Sequence, residues 1–405
     1  MNIIFVSRYG SSNIGDELIV RELEKLFDGH NLMRFDNVLN YYPTLDESFI
    51  SKKIKKVQKD KKTIVEKIYR DNLRSSFAIS GIRNLINTNK AKNNKNLLKF
   101  ETAIKTSDLL VIGGGNLVFD LEKYSKGAFY LNLPIEIANK YELPVYILNA
   151  GFGPFQTQKQ LLKVHKTLEK VEYITVRDEI SFNLLKGIEK PKLYQTIDPV
   201  VFLDYLNPIN HIKQDCIGVS VMDIRLAEYS EEEYRQYLMR IHQISSFLLN
   251  EYDKKIFFFC TEQNDLVALF DLKNLILKNE DSIAGYMFED EVSVDALKNI
   301  YSSIDALVGT RMHSMIISFS QSIPFLGISW QDKVLGFAKM ISNEEFIVSI
   351  DNLINKEIDK KLLNTFMKDL SNVKDKFIQK KEDIEPYYEI NKKIVHWIEK
   401  ESSNQ

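Results

Sequence analysis

Apolar residues along this chain form short continuous runs that alternate with segments of helical spacing. The run at 2–8 is compact and rich in β-branched residues, and the segment 16–27 after it repeats apolar side chains at helical intervals. Similar runs predict further strands at 108–114, 143–151, 173–178 and within 193–203. Continuous apolar strands separated by helices are what a parallel sheet covered on both faces requires. The first half therefore predicts a Rossmann-like α/β domain over residues 1–205.

The pattern breaks at 205–215, a polar stretch with a proline and no periodicity, and then restarts. Strands are predicted at 216–222, 255–260, 283–288, 305–309 and 323–329, with helices at 231–252, 264–279 and 295–304 between them. This alternation predicts a second Rossmann-like domain over 215–382, followed by a terminal helix at 383–405. The predicted fold class is thus α/β, with two Rossmann-like domains that face each other across a cleft. Ligands are expected at the carboxyl ends of the strands.

Length and composition agree with this division. A chain of 405 residues is too long for one ordinary core, and 44% hydrophobic with 27% charged residues is typical of a soluble globular protein. No apolar run approaches the ~18 residues of a membrane span, and residues 1–10 do not resemble a signal peptide. Cys216 and Cys260 lie in apolar runs without a CxxC or Cys/His pattern, so neither a structural disulfide nor a zinc site is expected. We therefore expect a protein of the reducing cytoplasm.

The net charge of −2 conceals a strongly basic segment. Between Lys52 and Lys105 there are 16 Lys and Arg residues against 4 Asp and Glu, which predicts a basic helical insertion at about 50–105 in the first domain. Two interpretations stay open: a solvated helical face, or a basic surface for an anionic lipid headgroup or a phosphate-rich substrate. The second would bring the protein to the inner face of the membrane as a peripheral protein. Aromatic residues are sparse in the segment, so no nucleic acid partner is expected.

Loops at the carboxyl ends of parallel strands are the places where α/β proteins carry their chemistry. The loop after the first strand, 9–17, combines glycines with Asn13 and Asp16 at the head of the predicted helix. An Asn or Asp in that position is commonly a helix cap, and it is also a candidate for binding a ligand. The loop lacks the GxGxxG spacing of a dinucleotide-binding turn.

A run of three glycines follows the second predicted strand, in the loop 113–120. Consecutive glycines lose much backbone entropy on folding, and they permit the close approach of a ligand. Gly114, Gly115 and Asn116 are therefore candidate binding residues. Asp120 is a candidate catalytic carboxylate. The alternative for this loop is a tight turn with a capping Asn.

Arg177 and Asp178 stand at the end of another predicted strand of the first domain. They are interpreted either as a surface ion pair or, because the strand end lies on the ligand side of the sheet, as part of a site. Arg177 is the candidate catalytic residue of this pair.

In the second domain, the stretch GTRMHSMIISFS at 309–320 places an arginine and a histidine at the start of a predicted apolar helix. The N-terminus of a helix offers unpaired N–H donors and the positive end of its dipole, and both favour anions. Arg311 can add a bidentate fork for carboxylate or phosphate, and His313 can donate a proton near neutral pH. After the next strand, Asp332 and Lys333 are interpreted either as a helix cap and a solvated lysine or as residues that line the same site.

Taken in order, six segments resemble the polysaccharide pyruvyl transferase family. They are GSSNIGDELI, VIGGGNLVFD, VRDEIS, TIDPVVFL, GTRMHSMIISFSQSIPFLGIS and WQDKV. The resemblance spans about residues 1–340 apart from the basic insertion, and the RxH segment with its small-residue helix and DKV ending is its most specific element. Enzymes of this family resemble GT-B glycosyltransferases in fold, so the resemblance implies a GT-B-like pair of domains.

The resemblance implies a transferase that moves pyruvate from phosphoenolpyruvate onto two hydroxyls of a sugar in a cell-surface polysaccharide or its lipid-linked precursor. The products are a cyclic ketal and phosphate. Arg177 and Arg311 are then expected to clamp the two anionic groups of phosphoenolpyruvate, and His313 is the expected general acid. Asp120 or Asp16 is expected to orient or deprotonate the attacking hydroxyl. The acceptor is a sugar or a lipid-linked oligosaccharide, and neither a metal nor a cofactor is expected.

Two other functions compete with this one. A GT-B-type glycosyltransferase would place the diphosphate of a nucleotide sugar at the same helix start, although no obvious Glu is positioned to bind the ribose. A non-catalytic module that binds sugars or anions would use the same loops without turnover.

Overall fold

The computed structural model describes residues 1–43, 95–120, 126–203, 215–279 and 283–403. The chain divides into two compact units. The first unit comprises Met1–Ser11, Asp16–Pro199 and Pro386–Gln405, and the second comprises Ser12–Gly15 and Val200–Glu385. Each unit contains a mainly parallel sheet with helices between its strands, which confirms the prediction of two Rossmann-like domains.

The first unit has a sheet whose two central strands, Asn2–Ser7 and Leu109–Gly113, are buried apart from Asn2, as their apolar runs predict. Its strands are β1 (Asn2–Ser7), β2 (Asn31–Asp36), β3 (Tyr41–Tyr42), β4 (Leu109–Gly113), β5 (Asn116–Asp120), β6 (Val145–Phe155), β7 (Tyr173–Val176) and β8 (Lys192–Gln195). Its helices are α1 (Ile14–Lys25), α2 (Lys95–Ile104), α3 (Gly127–Lys140), α4 (Gln158–Leu168) and α5 (Glu179–Leu185), with a 3-10 turn at Pro199–Phe202. The strand order is β3-β2-β1-β4-β6-β7-β8, and β5 pairs with β6. The β2–β3 pair is antiparallel and the other pairs are parallel.

The second unit repeats this plan with a parallel sheet in the order β11-β10-β9-β12-β13-β14. Its strands are β9 (Cys216–Ser220), β10 (Lys255–Phe259), β11 (Tyr286–Phe288), β12 (Ala306–Gly309), β13 (Phe325–Ser329) and β14 (Ile347–Ser349). Its helices are α6 (Glu231–Tyr252), α7 (Leu266–Asn279), α8 (Val294–Ser303), α9 (Met312–Ser320), α10 (Asp332–Met340) and α11 (Ile350–Asn355). Three 3-10 turns complete it, at Ile224–Ala227, Gln263–Asp265 and Glu344–Phe346. Cys216 and Cys260 are buried free thiols.

The terminal helix α12 spans Lys360–Ser403, so it begins well before the predicted start at 383. Its first part buries apolar side chains at helical spacing in the second unit, at Leu363, Phe366, Val373 and Phe377. Pro386 lies inside the helix, and the residues after it belong to the first unit. The predicted contiguous ranges 1–205 and 215–382 therefore differ from the compact units, because Ser12–Gly15 and the end of α12 join the unit from which they are distant in sequence.

Two other predicted features fall largely outside the described residues. Of the basic insertion at about 50–105, only the part from residue 95 onward is described, as helix α2 and the turn after it. Contact of the Lys-rich segment 52–105 with a membrane thus stays a prediction. Most of the predicted break at 205–215 likewise lies outside the described part. Within the described ranges, no helix is both long enough and apolar enough to cross a bilayer.

Part of the predicted glycine loop 113–120 is a strand in the structure. Gly114 and Gly115 adopt φ values of +82° and +68°, a left-handed conformation that lets the chain turn within two residues after β4. The chain then re-enters the sheet as β5, which pairs with the far end of β6. Strand β6 accordingly extends to Phe155, beyond the predicted strand 143–151. This pairing is long-range, so the local pattern of glycines could not indicate it.

In both sheets the strand order reverses beside the first strand. β1 lies between β2 and β4, and β9 lies between β10 and β12. Connections on the two sides of such a switch point leave in opposite directions and open a crevice at the carboxyl ends of the strands, where α/β proteins bind ligands. A ligand site is therefore expected at the loops after β1 and β4 in the first unit and after β9 and β12 in the second.

Replacing Asn391 by Ala tests how the end of α12 is held in the first unit. The fully buried Asn391 Oδ1 accepts a hydrogen bond from Thr175 Oγ1 at 2.8 Å, and the same hydroxyl accepts from the Asn149 N–H at 2.7 Å. Asn391→Ala should lower the free energy of unfolding by about 1–3 kcal/mol, because the buried hydroxyl proton of Thr175 loses its acceptor. Denaturant titration measures this, with exposed Asn372→Ala on the same helix as control. Equal losses for the two variants would contradict the assignment.

Candidate functional site

The segment that carries the predicted arginine and histidine lies at the switch point of the second sheet. β12 ends at Gly309, and α9 begins at Met312 after two residues. Arg311 is the N-cap residue in an extended conformation, and its side chain makes no capping hydrogen bond. His313 is the second residue of the helix and is half-buried. The structure thus places both side chains at the helix start that the sequence predicts, beside the end of β9.

Arg311 is held by two acidic residues that follow β10. Its Nε and Nη2 donate to the two carboxylate oxygens of Asp265, each at 2.7 Å, and Nη2 lies 3.1 Å from Glu262 Oε2. The Asp265 side chain has no exposed surface, and its Oδ1 also accepts from the backbone N–H of Asp223 at 3.0 Å. Among the described residues, none of the hydrogen bonds of Arg311 uses Nη1. The guanidinium is therefore fixed along one edge, and the N–H groups of Nη1 are left for another acceptor.

Burial affects the two charges of this pair in opposite ways. Burial is the largest influence on Asp265 and raises the pKa of its carboxyl, although the hydrogen bonds from Arg311 oppose the shift. Burial also disfavours the charged guanidinium, but the carboxylates of Asp265 and Glu262 outweigh it, and the pKa of Arg311 is raised. Because a buried charge is tolerated only with a close partner, each side chain depends on the other.

A short piece from the beginning of the chain lies against His313. The Ile14 N–H donates to the Thr261 carbonyl at 3.0 Å, and the Gln263 N–H donates to the Ser12 carbonyl at 3.1 Å. These bonds hold Ser12–Gly15 beside the loop after β10. A Cβ atom on Gly15 would lie only 2.0 Å from Cγ of His313, so the backbone of this glycine contacts the imidazole ring directly.

The predicted Asn13 acts as a cap in this piece. Its Oδ1 accepts from the Gly15 N–H at 2.9 Å, at the start of α1. Asp332 and Lys333 are the first two residues of α10, and they follow the strand β13 that neighbours β12. Asp332 is exposed and Lys333 is half-buried. Both therefore lie at the carboxyl edge of the second sheet, and their roles in binding stay predictions.

In the first unit, Arg8 connects two of the predicted residues. It follows β1 directly, its Nη1 lies 3.3 Å from Asp16 Oδ2, and its Nη2 donates to the Asn116 carbonyl at 2.9 Å. Ser11 Oγ also donates to Asp16 Oδ2, at 3.1 Å. A Cβ atom on Gly115 would lie 3.0 Å from Asp16 Oδ1, which explains why the turn before β5 carries glycine. Asp16, Gly115 and Asn116 therefore meet at the switch point of the first sheet.

Arg177 lies next to this group, at the end of β7. Its Nη1 forms an ion pair of 2.6 Å with Asp198 Oδ2, and both side chains are less than a tenth exposed, at 8% and 6%. A Cβ atom on Gly151 would lie 2.4 Å from Asn116 Oδ1 and 3.3 Å from Arg177 Nε, so both side chains lie over this glycine. The charge of Arg177 is thus already compensated by Asp198. Its use as a clamp for a ligand stays a prediction.

Two further expectations are only partly addressed by the structure. Asp120 ends β5 opposite Phe155 of β6, and its side chain lies outside the described part, so its catalytic role stays a prediction. Within the described ranges, no group of three or more His, Cys, Asp or Glu side chains is arranged to hold a metal ion. The expectation that no metal or cofactor takes part is not tested by this.

Sequence reasoning missed the acidic partners of both arginines, and it missed Arg8. The overlooked residues share one feature: each lies in the first few positions after a strand or in the turn that follows it. They are Arg8, Asp198, Glu262 and Asp265. A systematic search for charged residues just beyond each apolar run would have found them. Which of them pair with one another depends on strand order, which the local pattern does not contain.

Comparison with known proteins identifies what this arrangement is similar to. Residues 13–332 match a protein family described as polysaccharide pyruvyl transferase. The amylovoran biosynthesis protein AmsJ of Erwinia amylovora is 22% identical over 389 residues, which cover 88% of this chain and 90% of that protein.

Similar folds occur among solved structures at low sequence identity. The UDP-GlcNAc 2-epimerase of Neisseria meningitidis, bound to UDP-GlcNAc, matches with a TM-score of 0.52 at 11% identity, over 99% of this chain and 100% of that one. The corresponding enzyme of Methanocaldococcus jannaschii gives 0.51 at 14% identity, over 91% and 92% of the two chains. At these identities the likeness concerns the fold alone, and it agrees with the predicted GT-B-like pair of Rossmann-like domains.

Gly15→Ala tests the contact between the backbone of Gly15 and the ring of His313. The added methyl group should destabilise the protein by about 1–3 kcal/mol and displace the imidazole, because the two groups cannot occupy the same space. Denaturant titration and the NMR signals of the His313 ring measure the two effects. Gly336→Ala in α10 is the control, since a Cβ there meets no atom within 4 Å. Unchanged ring signals in Gly15→Ala would refute the contact.

Asp265→Ala tests how strongly Arg311 depends on its buried partner. The variant should lose about 3–5 kcal/mol of stability, because the guanidinium keeps its charge without the carboxylate that lacks any exposed surface. Glu262→Ala should lose less stability than Asp265→Ala, because Glu262 contacts Nη2 alone at 3.1 Å and the guanidinium keeps both hydrogen bonds to Asp265. Equal losses in thermal or denaturant unfolding would show that Asp265 is not the main partner.

Proposed function

The chain belongs to the polysaccharide pyruvyl transferase family, and from this we propose that it transfers pyruvate from phosphoenolpyruvate onto two hydroxyls of a sugar. Membership of the family makes the protein a transferase enzyme. The proposed acceptor is a sugar in a cell-surface polysaccharide or its lipid-linked precursor, which agrees with the name of the similar amylovoran biosynthesis protein. The proposed reaction forms a cyclic ketal and releases phosphate.

One observation supports this proposal most directly. A histidine and a pre-oriented arginine stand together at the start of α9, at the switch point of the second sheet. Phosphoenolpyruvate carries a carboxylate and a phosphate, and both favour the N–H donors of an uncapped helix start. Asp265 fixes the guanidinium of Arg311 so that Nη1 can donate to an anion. Donors that are already oriented bind without having to reorganise.

His313 is the proposed general acid. It gives a proton to C3 of phosphoenolpyruvate, which becomes a methyl group and leaves positive charge at C2. The first sugar hydroxyl adds to C2, and its proton passes to a carboxylate, Asp16 or Asp120. The bond from C2 to the phosphate oxygen then breaks and phosphate leaves with that proton. The second hydroxyl adds to C2 and returns its proton to His313, which closes the ketal and restores both groups.

The residues of the first unit are assigned to the acceptor in this proposal. Asp16 is ion-paired with Arg8, and its carboxylate oxygens can accept a hydrogen bond from a sugar hydroxyl. The proposal requires no metal or cofactor, and phosphoenolpyruvate is the donor substrate.

A direct assay tests the whole proposal. Purified protein is incubated with phosphoenolpyruvate and a panel of sugars and lipid-linked oligosaccharides, and free phosphate and the mass of each acceptor are followed. The expected result is phosphate release together with an acceptor that carries one pyruvyl ketal. Thermal stabilisation by phosphoenolpyruvate, and not by a uridine diphosphate, separates this function from that of a glycosyltransferase. The reverse pattern across the panel would overturn the proposal.

His313→Ala should reduce kcat/KM by roughly a hundred- to ten-thousandfold, the usual contribution of a general acid. His396→Ala is the matched control, because that histidine lies on α12 with 66% of its side chain exposed. The His313→Ala protein should fold normally, which its thermal unfolding curve verifies. Full activity in His313→Ala would leave the family assignment intact and remove His313 as the acid.

A further inference from the structure

A cavity of about 280 Å³ lies at the switch point of the first sheet. Its walls come from the ends of β1 and β4, the loop after β2, the strand β5 and the first turns of α3. Among the described residues that line the cavity, none takes part in the chemical steps proposed above. Its place at the carboxyl ends of the two central strands is where a ligand of an α/β unit is expected.

The charged residues that line the cavity are positive. Arg8 and Lys126 contribute to its walls, and among the described lining residues none is acidic. Arg8 reaches the cavity from β1 while its guanidinium is oriented by Asp16 and by the Asn116 carbonyl. Lys126 stands immediately before α3, whose positive dipole end therefore faces the same space. A ligand with a negative charge is favoured there.

The rest of the lining is largely apolar and includes two aromatic rings. Phe119 of β5 and Tyr130 of α3 are both half-buried, and the guanidinium of Arg8 lies 5.6 Å from the centroid of the Phe119 ring. Asn37 adds an amide that can donate and accept hydrogen bonds. Aromatic faces with a few polar groups suit a ligand that has an apolar face and many hydroxyls, which describes a sugar ring.

The size of the cavity limits what it holds. Sites for drug-sized ligands occupy roughly 300–1,000 Å³, so this cavity accommodates about one sugar ring with one charged substituent. Through the ion pair of Arg8 with Asp16, the cavity also adjoins a carboxylate that the proposed reaction assigns to the acceptor.

We propose that this cavity binds a sugar unit of the acceptor that carries an anionic group, with the anion on Lys126 and Arg8 and the ring on Phe119 and Tyr130. The inference rests on the proposed function and adds the chemical class of the acceptor. Two sources supply the same chemistry: the carboxylate of a uronic acid, or the phosphate of a sugar phosphate.

Binding of small probes to the full-length protein, without phosphoenolpyruvate, tests the inference. Glucuronic acid and glucose 1-phosphate are compared with uncharged glucose by ligand-observed NMR titration. At least one anionic probe should bind about tenfold more tightly than glucose, which corresponds to one charge-assisted hydrogen bond. Which of the two probes binds identifies the source of the charge. Inorganic phosphate serves as the control for the anion without a sugar.

Three variants distinguish the binding of the anionic group of a probe from the binding of its sugar ring. Lys126→Gln should lower the affinity for the anionic probes about tenfold and leave the affinity for glucose unchanged. Phe119→Ala should weaken all probes that contain a sugar ring. Lys163→Gln replaces an exposed lysine on α4, and it should change neither the affinity for the anionic probes nor the affinity for glucose. In the transfer assay, the first two variants should raise KM for the acceptor and leave KM for phosphoenolpyruvate unchanged.

Several results would overturn the inference: no probe binds, glucose binds as tightly as the anionic sugars, or inorganic phosphate binds as tightly as glucose 1-phosphate. A loss of phosphoenolpyruvate affinity in Lys126→Gln would assign the cavity to the donor instead. The two proposals fail separately. If no acceptor is pyruvylated but the probe pattern holds, the proposed reaction is wrong and the saccharide site stands. If transfer occurs and the variants behave as wild type, the site alone is wrong.

Discussion

The ion pair between Asp265 and Arg311 is the interaction on which the carboxyl edge of the second sheet depends. A carboxylate without exposed surface must find hydrogen-bond donors, and Asp265 finds them in two N–H groups of Arg311 and one of the backbone. The same bonds stop the guanidinium from rotating. Because His313 lies two residues after Arg311, the position of its imidazole ring also depends on this buried carboxylate.

The first unit contains similar ion pairs after the carboxyl ends of its strands. Arg177 is paired with the buried Asp198, and Arg8 with Asp16. Removing such pairs from water costs free energy that hydrophobic residues of similar volume would not cost, so they are poor devices for stability alone. Their benefit is orientation: a guanidinium fixed by one carboxylate presents its remaining N–H groups in a known direction. In both units, carboxylates therefore fix the orientation of the arginines at the strand ends. The N–H groups that these carboxylates do not use can bind a ligand.

The local sequence pattern predicted helices and strands well where the structure depends on residues that are close in sequence. Helix α6 spans the predicted 231–252, and its start carries a capping box formed by Ser230 and Glu233. The RxH segment also lay where its pattern placed it. The local pattern could not predict which distant residues or strands pair with one another. Asp265 is 46 residues before Arg311, to which it is hydrogen-bonded. Strand β5 forms only because β6 extends far enough to pair with it. Such pairings depend on strand order, which no short window of sequence contains.

The short segment Ser12–Gly15 has a consequence for how these proteins can be recombined. It is encoded near the beginning of the gene, yet it forms part of the second unit and lies against the ring of His313. The end of α12 is likewise encoded last and belongs to the first unit. A gene fragment for residues 200–385 would thus lack Gly15, whose backbone contacts the ring of His313. An exchange of whole units between relatives would therefore require chimaeras with four junctions, at 11/12, 15/16, 199/200 and 385/386.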